Sequence, residues 1–211
     1  MGSRALVFSL IFIVISIHMF RMKSPVFMKC IYTGIACYFL CIMWEFCNSL
    51  WRSEPESFYM IETFSKVSAL LFWFTASFGA LDSLVDDGSK EMRKYRYFSL
   101  AVMTPYTIAW IVGMIWFRNI HFLFLGASIS AVVMISFKHL IIPDIPDGFV
   151  QTLRCYNLVL LVEALFQMIY LFMLGIGDLG AVEIVVRSFC DLGVLLLYPA
   201  AYMGVKKWSL V

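Results

Sequence analysis

Five ionisable side chains stand inside long apolar stretches of this sequence: Glu45, Lys66, Glu163, Arg187 and Asp191. A charge near the centre of a bilayer costs at least about 2.5–3.5 kcal/mol even on lenient insertion scales, so such groups are the first candidates for function. Arg187 and Asp191 are four residues apart, which puts them on one side of a helix and predicts an ion pair. Lys66 with Glu45 is a second pairing, and together the two pairs would do no more than neutralise one another and fix helix packing. Glu45 also offers chemistry. Trp44, Phe46, Met43 and Cys41 surround it, and no basic residue lies within one helical turn. Desolvation in an apolar pocket keeps such a carboxyl protonated and competent as a general acid.

Aromatic residues make up 17% of the chain, as 20 Phe, 10 Tyr and 6 Trp. Most serve as lipid-facing, packing or interfacial residues. Trp44, Trp73, Trp110, Trp116, Tyr170 and Tyr198 fall where they would line an internal cavity, and aromatic faces stabilise cations without offering a nucleophile. Other chemistries find little support. The six cysteines, Cys30, Cys37, Cys41, Cys47, Cys155 and Cys190, include no Cys-x-x-Cys, and read as small buried apolar residues. His18, His121 and His139 are scattered over three segments and give no zinc site. No Gly-rich phosphate loop, no Gly-x-Ser-x-Gly elbow and no convincing internal repeat occurs.

The elements that must position these groups follow from composition. Hydrophobic residues are 62% of the chain and charged ones 14%, against about half and a quarter in soluble domains. That excess is hidden in lipid. Apolar runs of spanning length recur at about 3–20, 25–51, 59–84, 97–117, 120–137, 153–175 and 182–205. They predict an all-α fold, one polytopic seven-transmembrane-helix bundle over 1–211 with no separate soluble domain. The first run reads as a span and not a cleaved signal peptide, because no small-residue cleavage site follows it and Arg21 and Lys23 suit a cytoplasmic anchor. Of 16 Lys and Arg, Arg21, Lys23, Lys29, Lys90, Arg93, Lys94, Arg96, Lys138, Arg154, Lys206 and Lys207 fall at one set of alternating ends, with Arg4, Arg52 and Arg118 at the other. The positive-inside rule then places the N-terminus outside or in a lumen and the C-terminus in the cytoplasm. The net charge of +2 is part of that signal and gives no reason to expect nucleic acid. The connections are short, the longest being Asp86 to Arg96 and His139 to Thr152, the latter broken by Pro143 and Pro146. Counting from the outer ends at ~1.5 Å per residue puts Glu45, Lys66, Arg187 and Asp191 roughly 8–14 Å deep, within reach of one cavity, and Glu163 one or two turns deeper.

These residues resemble a known family. Tyr38-Phe39-Leu40-Cys41-Ile42-Met43-Trp44-Glu45-Phe46, followed by Trp51-Arg52-Ser53-Glu54-Pro55-Glu56-Ser57, is similar to the second helix and following loop of the small integral-membrane terpene cyclases of meroterpenoid and indole-diterpenoid pathways. Asp191, Tyr198, Tyr202, Lys206 and Lys207 resemble the acid, tyrosines and basic tail of that family's last helix, and Arg154 and Tyr170 fall where it carries an Arg and a Tyr. The Asn usual before the Trp-Glu and the Gly usual after the late Asp are replaced here by Cys41 to Met43 and by Leu192, and Arg187 is foreign to the pattern. The resemblance implies a compact seven-helix enzyme that uses neither metal nor cofactor. Glu45 would protonate an epoxide or alkene of a prenyl chain and Asp191 would be its partner; from their own positions in the spans, and not from the resemblance, Trp44, Trp73, Tyr170, Arg187 and Tyr198 are the expected pocket residues. The implied partners are a prenylated or epoxyprenyl small molecule and the lipid bilayer, with the protein a monomer. Neither Asp-Asp-x-x-Asp nor Asp-x-Asp-Asp, the motifs of soluble terpene cyclases, is present. Asp82, Asp86 and Asp87 read as a solvated helix end. Two other classes fit the composition: a seven-helix sensor or receptor module, to which Met60 to Phe124 bears some likeness, and a small proton-coupled transporter using Glu45 or Asp191. A retinal protein is disfavoured, because Asp191 stands near where the Schiff-base lysine belongs.

Overall fold

The computed structural model describes residues 2–21, 25–51, 55–82, 86–143, 149–177 and 180–208. Of the residues given roles above, Lys23, Arg52, Ser53, Glu54 and Pro146 lie outside these, as do the side chains of Pro55, Glu56, Ser57 and Lys207. The described chain is all-α. It comprises α1 (Gly2–Arg21), α2 (Val26–Trp51), α3 (Pro55–Ser77) continued by a π-helical turn (Phe78–Asp82), α4 (Arg93–Phe117), α5 (His121–Ile141), α6 (Phe149–Ile176) and α7 (Ala181–Trp208). Each apolar run has become one helix. The helices overrun the hydropathy at Arg93–Arg96 and Lys138–Ile141, because a backbone at the bilayer edge still gains from intrahelical hydrogen bonds where its side chains turn polar. Five helices are long and apolar enough to cross a membrane: α1, α2, α4, α5 and, over Leu153–Ile176, α6. α3 and α7 complete the bundle.

Burial follows one face of each outer helix. In α1 the buried residues are Ala5, Phe8, Ile15 and Met19, whereas Leu6, Val7, Leu10 and Val14 face outward. This is inverted from a soluble protein, where outward positions are polar, and it assigns lipid contact to that surface. α2 packs on α3, α4 on α5, α6 on α7, and α5 lies between α3 and α6. Small residues allow the close approaches: the Trp73 indole occupies the place a side chain at Gly34 would take, and Trp110 does the same over Gly126. α1 lies on α2 and meets α7 through two polar contacts, Arg4 with Asp191 and His18 with Tyr198.

Two local features shape the helix ends. α4 stops at Arg118, which adopts the left-handed conformation at φ 50°, and Asn119 Oδ1 then accepts from the His121 backbone N–H at 2.8 Å to start α5. At the other end of the bundle the wider π-helical turn brings Asp82 onto α5, where Lys138 Nζ donates to its Oδ1 at 2.7 Å and His139 Nε2 lies at 3.1 Å.

Candidate functional site

The first turn of α1 inserts Arg4 between α2 and α7. Its guanidinium grips Asp191 with both arms, Nε to Oδ2 at 2.5 Å and Nη2 to Oδ1 at 2.8 Å, while Nη1 donates to Glu45 Oε2. The Tyr38 hydroxyl adds a bond to Asp191 Oδ1 at 3.1 Å. Arg187, one turn before Asp191 on α7, sends Nη1 to Glu45 Oε2 at 3.2 Å and Nη2 to the Tyr170 hydroxyl at 2.6 Å and to Glu183 Oε1 at 2.9 Å. Tyr170 in turn donates to Glu62 Oε1 at 3.1 Å. Lys66 Nζ donates to that same oxygen at 2.5 Å and sits 3.9 Å from the Tyr170 ring centroid. One network therefore links α1, α2, α3, α6 and α7.

Among the described residues the network holds three cations, Arg4, Lys66 and Arg187, against four carboxyls, Glu45, Glu62, Glu183 and Asp191. Glu45, Glu62 and Lys66 are at most 3% exposed, so their charges depend on one another and not on water. With one acid in excess over the bases, the cluster can carry a transferable proton without an unbalanced positive charge.

Helix-level reasoning alone gives the wrong partners at three positions. Asp191 pairs with Arg4 and not with Arg187, because Arg187 extends toward α2 and α6. Lys66 pairs with Glu62, its neighbour four residues back, and not with Glu45. Glu45 is not the lone carboxyl expected from its apolar neighbours, since α1 and α7 bring a guanidinium each onto its Oε2. Two of the missing residues were readable: Glu62 precedes Lys66 by four and Glu183 precedes Arg187 by four, the spacing of same-face pairs. Arg4 had the right depth at the outer end of the first span, but only tertiary packing shows what it reaches. Tyr38 carried no signal beyond its residue type.

The other side chains named from the sequence distribute as follows. Tyr170 is in the network. Trp44 is half-buried beside Glu45 in sequence, with its Nε1 buried and without a hydrogen-bond partner. Trp73 is fully buried between α2 and α3, where its Nε1 donates to the Ile31 carbonyl at 3.4 Å. Tyr198 bonds His18 Nδ1 at 2.7 Å, about 20 Å along α1 from Arg4 at the helical rise. Glu163, fully buried, stands apart on α6; its Oε1 accepts from Gln167 Nε2 at 2.7 Å and its carboxyl presses on Gly193 of α7.

Two cavities touch the network. An open groove of about 800 Å³ lies between α1 and α7, lined by Arg4, Glu183, Arg187 and Asp191, by Ser3 and Ser188, and by apolar residues that include Val7, Ile11 and Leu195; Glu45 lies behind Arg4 and is not in its lining. A smaller one of about 260 Å³ lies among α3, α5 and α6, lined by Glu62, Thr63, Asn119, His121, Leu125, Leu171 and Leu174. Cys41, Glu45 and Glu62 offer ligand atoms within 4.8 Å of one another. Both carboxylates are already matched by Arg4, Arg187 and Lys66, so this set fits protons better than a divalent ion.

At the opposite end of the bundle the aspartates expected as a solvated helix end are partly engaged. Asp86 accepts from Arg96 Nε and Nη2, both at 2.7 Å, and pairs with Lys138 at 2.6 Å. Hydrogen bonds from Arg96 hold its carboxyl below the usual aspartate range.

Compared with known proteins, the chain matches no family model, no curated protein sequence and no solved structure.

Proposed function

We propose that the chain is a membrane-embedded, acid-initiated terpene cyclase, a seven-span protein acting on a prenyl chain that carries an epoxide or a terminal alkene. The reading is supported by one observation above all. Glu45 and Asp191, far apart in sequence, are joined by the single guanidinium of Arg4, and both Arg4 and Asp191 line the large, mostly apolar groove. Two acids sharing one cation beside a mostly apolar groove suit protonation of a weak base. The resemblance of the Trp44-Glu45 segment and of Asp191 to the membrane cyclases points the same way.

The chemistry balances without a metal. A carboxylic O–H of the Glu45–Asp191 pair gives its proton to the epoxide oxygen, and Arg4 stabilises the carboxylate left behind. The C–O bond to the more substituted carbon breaks, its electron pair stays on the new hydroxyl oxygen, and a neighbouring alkene supplies two electrons to form the ring C–C bond. The last carbocation loses a proton to a base, so product and substrate have equal mass. Arg187 and Tyr170 fix Glu45 from the side facing α6. The positive-inside count puts this end of the bundle outside or in a lumen and the Lys138–Asp86 end in the cytoplasm.

The test is expression in a host supplied with epoxidised prenyl-aromatic compounds. The wild type is expected to yield a product of unchanged mass and altered chromatographic retention, insensitive to chelators. Glu45→Gln and Asp191→Asn should yield none while reaching the membrane in normal amount. Proton-coupled flux in vesicles with no conversion of the compounds would favour a transporter instead.

A further inference from the structure

We infer that Glu62 reloads Glu45 with protons taken from water in the smaller cavity, so that the charged network has a substrate side and a proton-supply side. This rests on the cyclase reading for its purpose but not for its geometry. The donor loses a proton to the substrate at each turnover, and the proton released by the final carbocation leaves from another point of the chain. A donor enclosed among helices must therefore be reprotonated from elsewhere before the next turnover.

Glu62 is built for that task. It is 2% exposed and lines the smaller cavity. Its Oε1 accepts from both Lys66 and Tyr170, whereas its Oε2 is buried with no hydrogen-bond partner. A buried carboxylate oxygen left unsatisfied is costly, and a proton on it removes that cost. A carboxyl oxygen of Glu62 lies within 4.8 Å of one on Glu45, with Cys41 Sγ the same distance or less from each. The Cys41 thiol donates to Glu45 Oε1 at 3.7 Å. The thiol therefore lies between the two acids, bonded to Glu45 and within 4.8 Å of Glu62. Lys66 offsets the charge of the relay when it is empty.

The cavity supplies the other half. Its volume of about 260 Å³ has room for several waters, and Thr63, Asn119 and His121 give it polar walls of the kind that hold them. Asn119 belongs to the turn between α4 and α5, so the cavity lies at that end of the bundle. The proton step is a plain transfer: water gives a proton to Glu62, Glu62 passes it to Glu45, and a hydroxide is left for the bulk solvent to neutralise.

The test reads proton exchange directly. Purified protein in lipid nanodiscs is moved into D₂O, and infrared spectroscopy follows the carbonyl stretch of its protonated carboxylic acids. The part of that band lost in Glu45→Gln is assigned to Glu45. In Glu62→Gln that component should exchange at least tenfold more slowly than in the wild type, and Glu62→Asp should recover most of the rate. Where product is formed, Glu62→Gln should slow the later turnovers more than the first. Exchange as fast in Glu62→Gln as in the wild type overturns the relay, as does the absence of any Glu45 component. Exchange slowed as expected in a protein that forms no cyclised product would keep the relay and remove the cyclase.

Discussion

Removing Arg4 leaves two acids to find other partners, and the structure sets how much that costs. In Arg4→Met, Glu45 keeps Arg187 at 3.2 Å, but Asp191 is left with only the Tyr38 hydroxyl at 3.1 Å. Breaking a buried ion pair from one side costs about 3–5 kcal/mol, mostly through the charge left behind. One of the two carboxyls retains a cation, so the expected loss is near the lower limit, about 3 kcal/mol or more than a hundredfold in the folding equilibrium. The second variant, Arg4→Met with Asp191→Asn, removes the stranded charge and should recover at least about half of that loss. Equilibrium unfolding in mixed micelles, with a denaturing detergent as titrant, measures all four corners of the cycle. A single Arg4→Met within about 0.5 kcal/mol of the wild type would show that Arg4 does not carry the pair. So would a double variant as unstable as the sum of the two singles.

Three further outcomes follow from individual contacts. Tyr170→Phe removes the hydroxyl that joins Arg187 to Glu62 and should destabilise by about 1.5–3 kcal/mol, the range for hydrogen bonds to charged groups, with Glu183 and Lys66 still partnering the two ends; thermal unfolding checks it. Gly34→Ala drives a methyl group into the Trp73 indole and should cost about 1–3 kcal/mol, relieved in part by Trp73→Phe. The depressed carboxyl of Asp86 makes its bonds to Arg96 and Lys138 stabilising above the ordinary aspartate pKa, with that contribution lost as pH falls through the lower folded value. Melting temperature should therefore fall on acidification below about pH 4, and less steeply in Asp86→Asn than in the wild type.

What the sequence made legible differs between helices and site for a physical reason. Hydropathy reports on single residues against lipid, so all seven runs were placed close to their helices, and Pro143 stands just past the end of α5 as a breaker should. The continuation of α3 into a π-helical turn at Phe78–Asp82 was not legible, because it depends on Asp82 meeting Lys138. Depth was also legible: Glu45, Lys66 and Arg187 lie in one network because equal depth on packed helices brings side chains into reach. Rotation about the helix axes was not. Whether Arg187 turned to Asp191 or to Glu45 was a matter of a few ångströms of side-chain reach, settled by where α1 delivered Arg4.

The proposed cyclisation needs Glu45 and Asp191 to act as one acid, through Arg4, on a substrate in the groove between α1 and α7. Its most direct measurement is turnover of an epoxyprenyl-aromatic compound by the purified protein in nanodiscs, with chelator present, followed by mass and retention. A cyclised isomer from the wild type and none from either Glu45→Gln or Asp191→Asn is the result expected; equal yield from the variant lacking both acids, or substrate recovered intact from every sample, would contradict it.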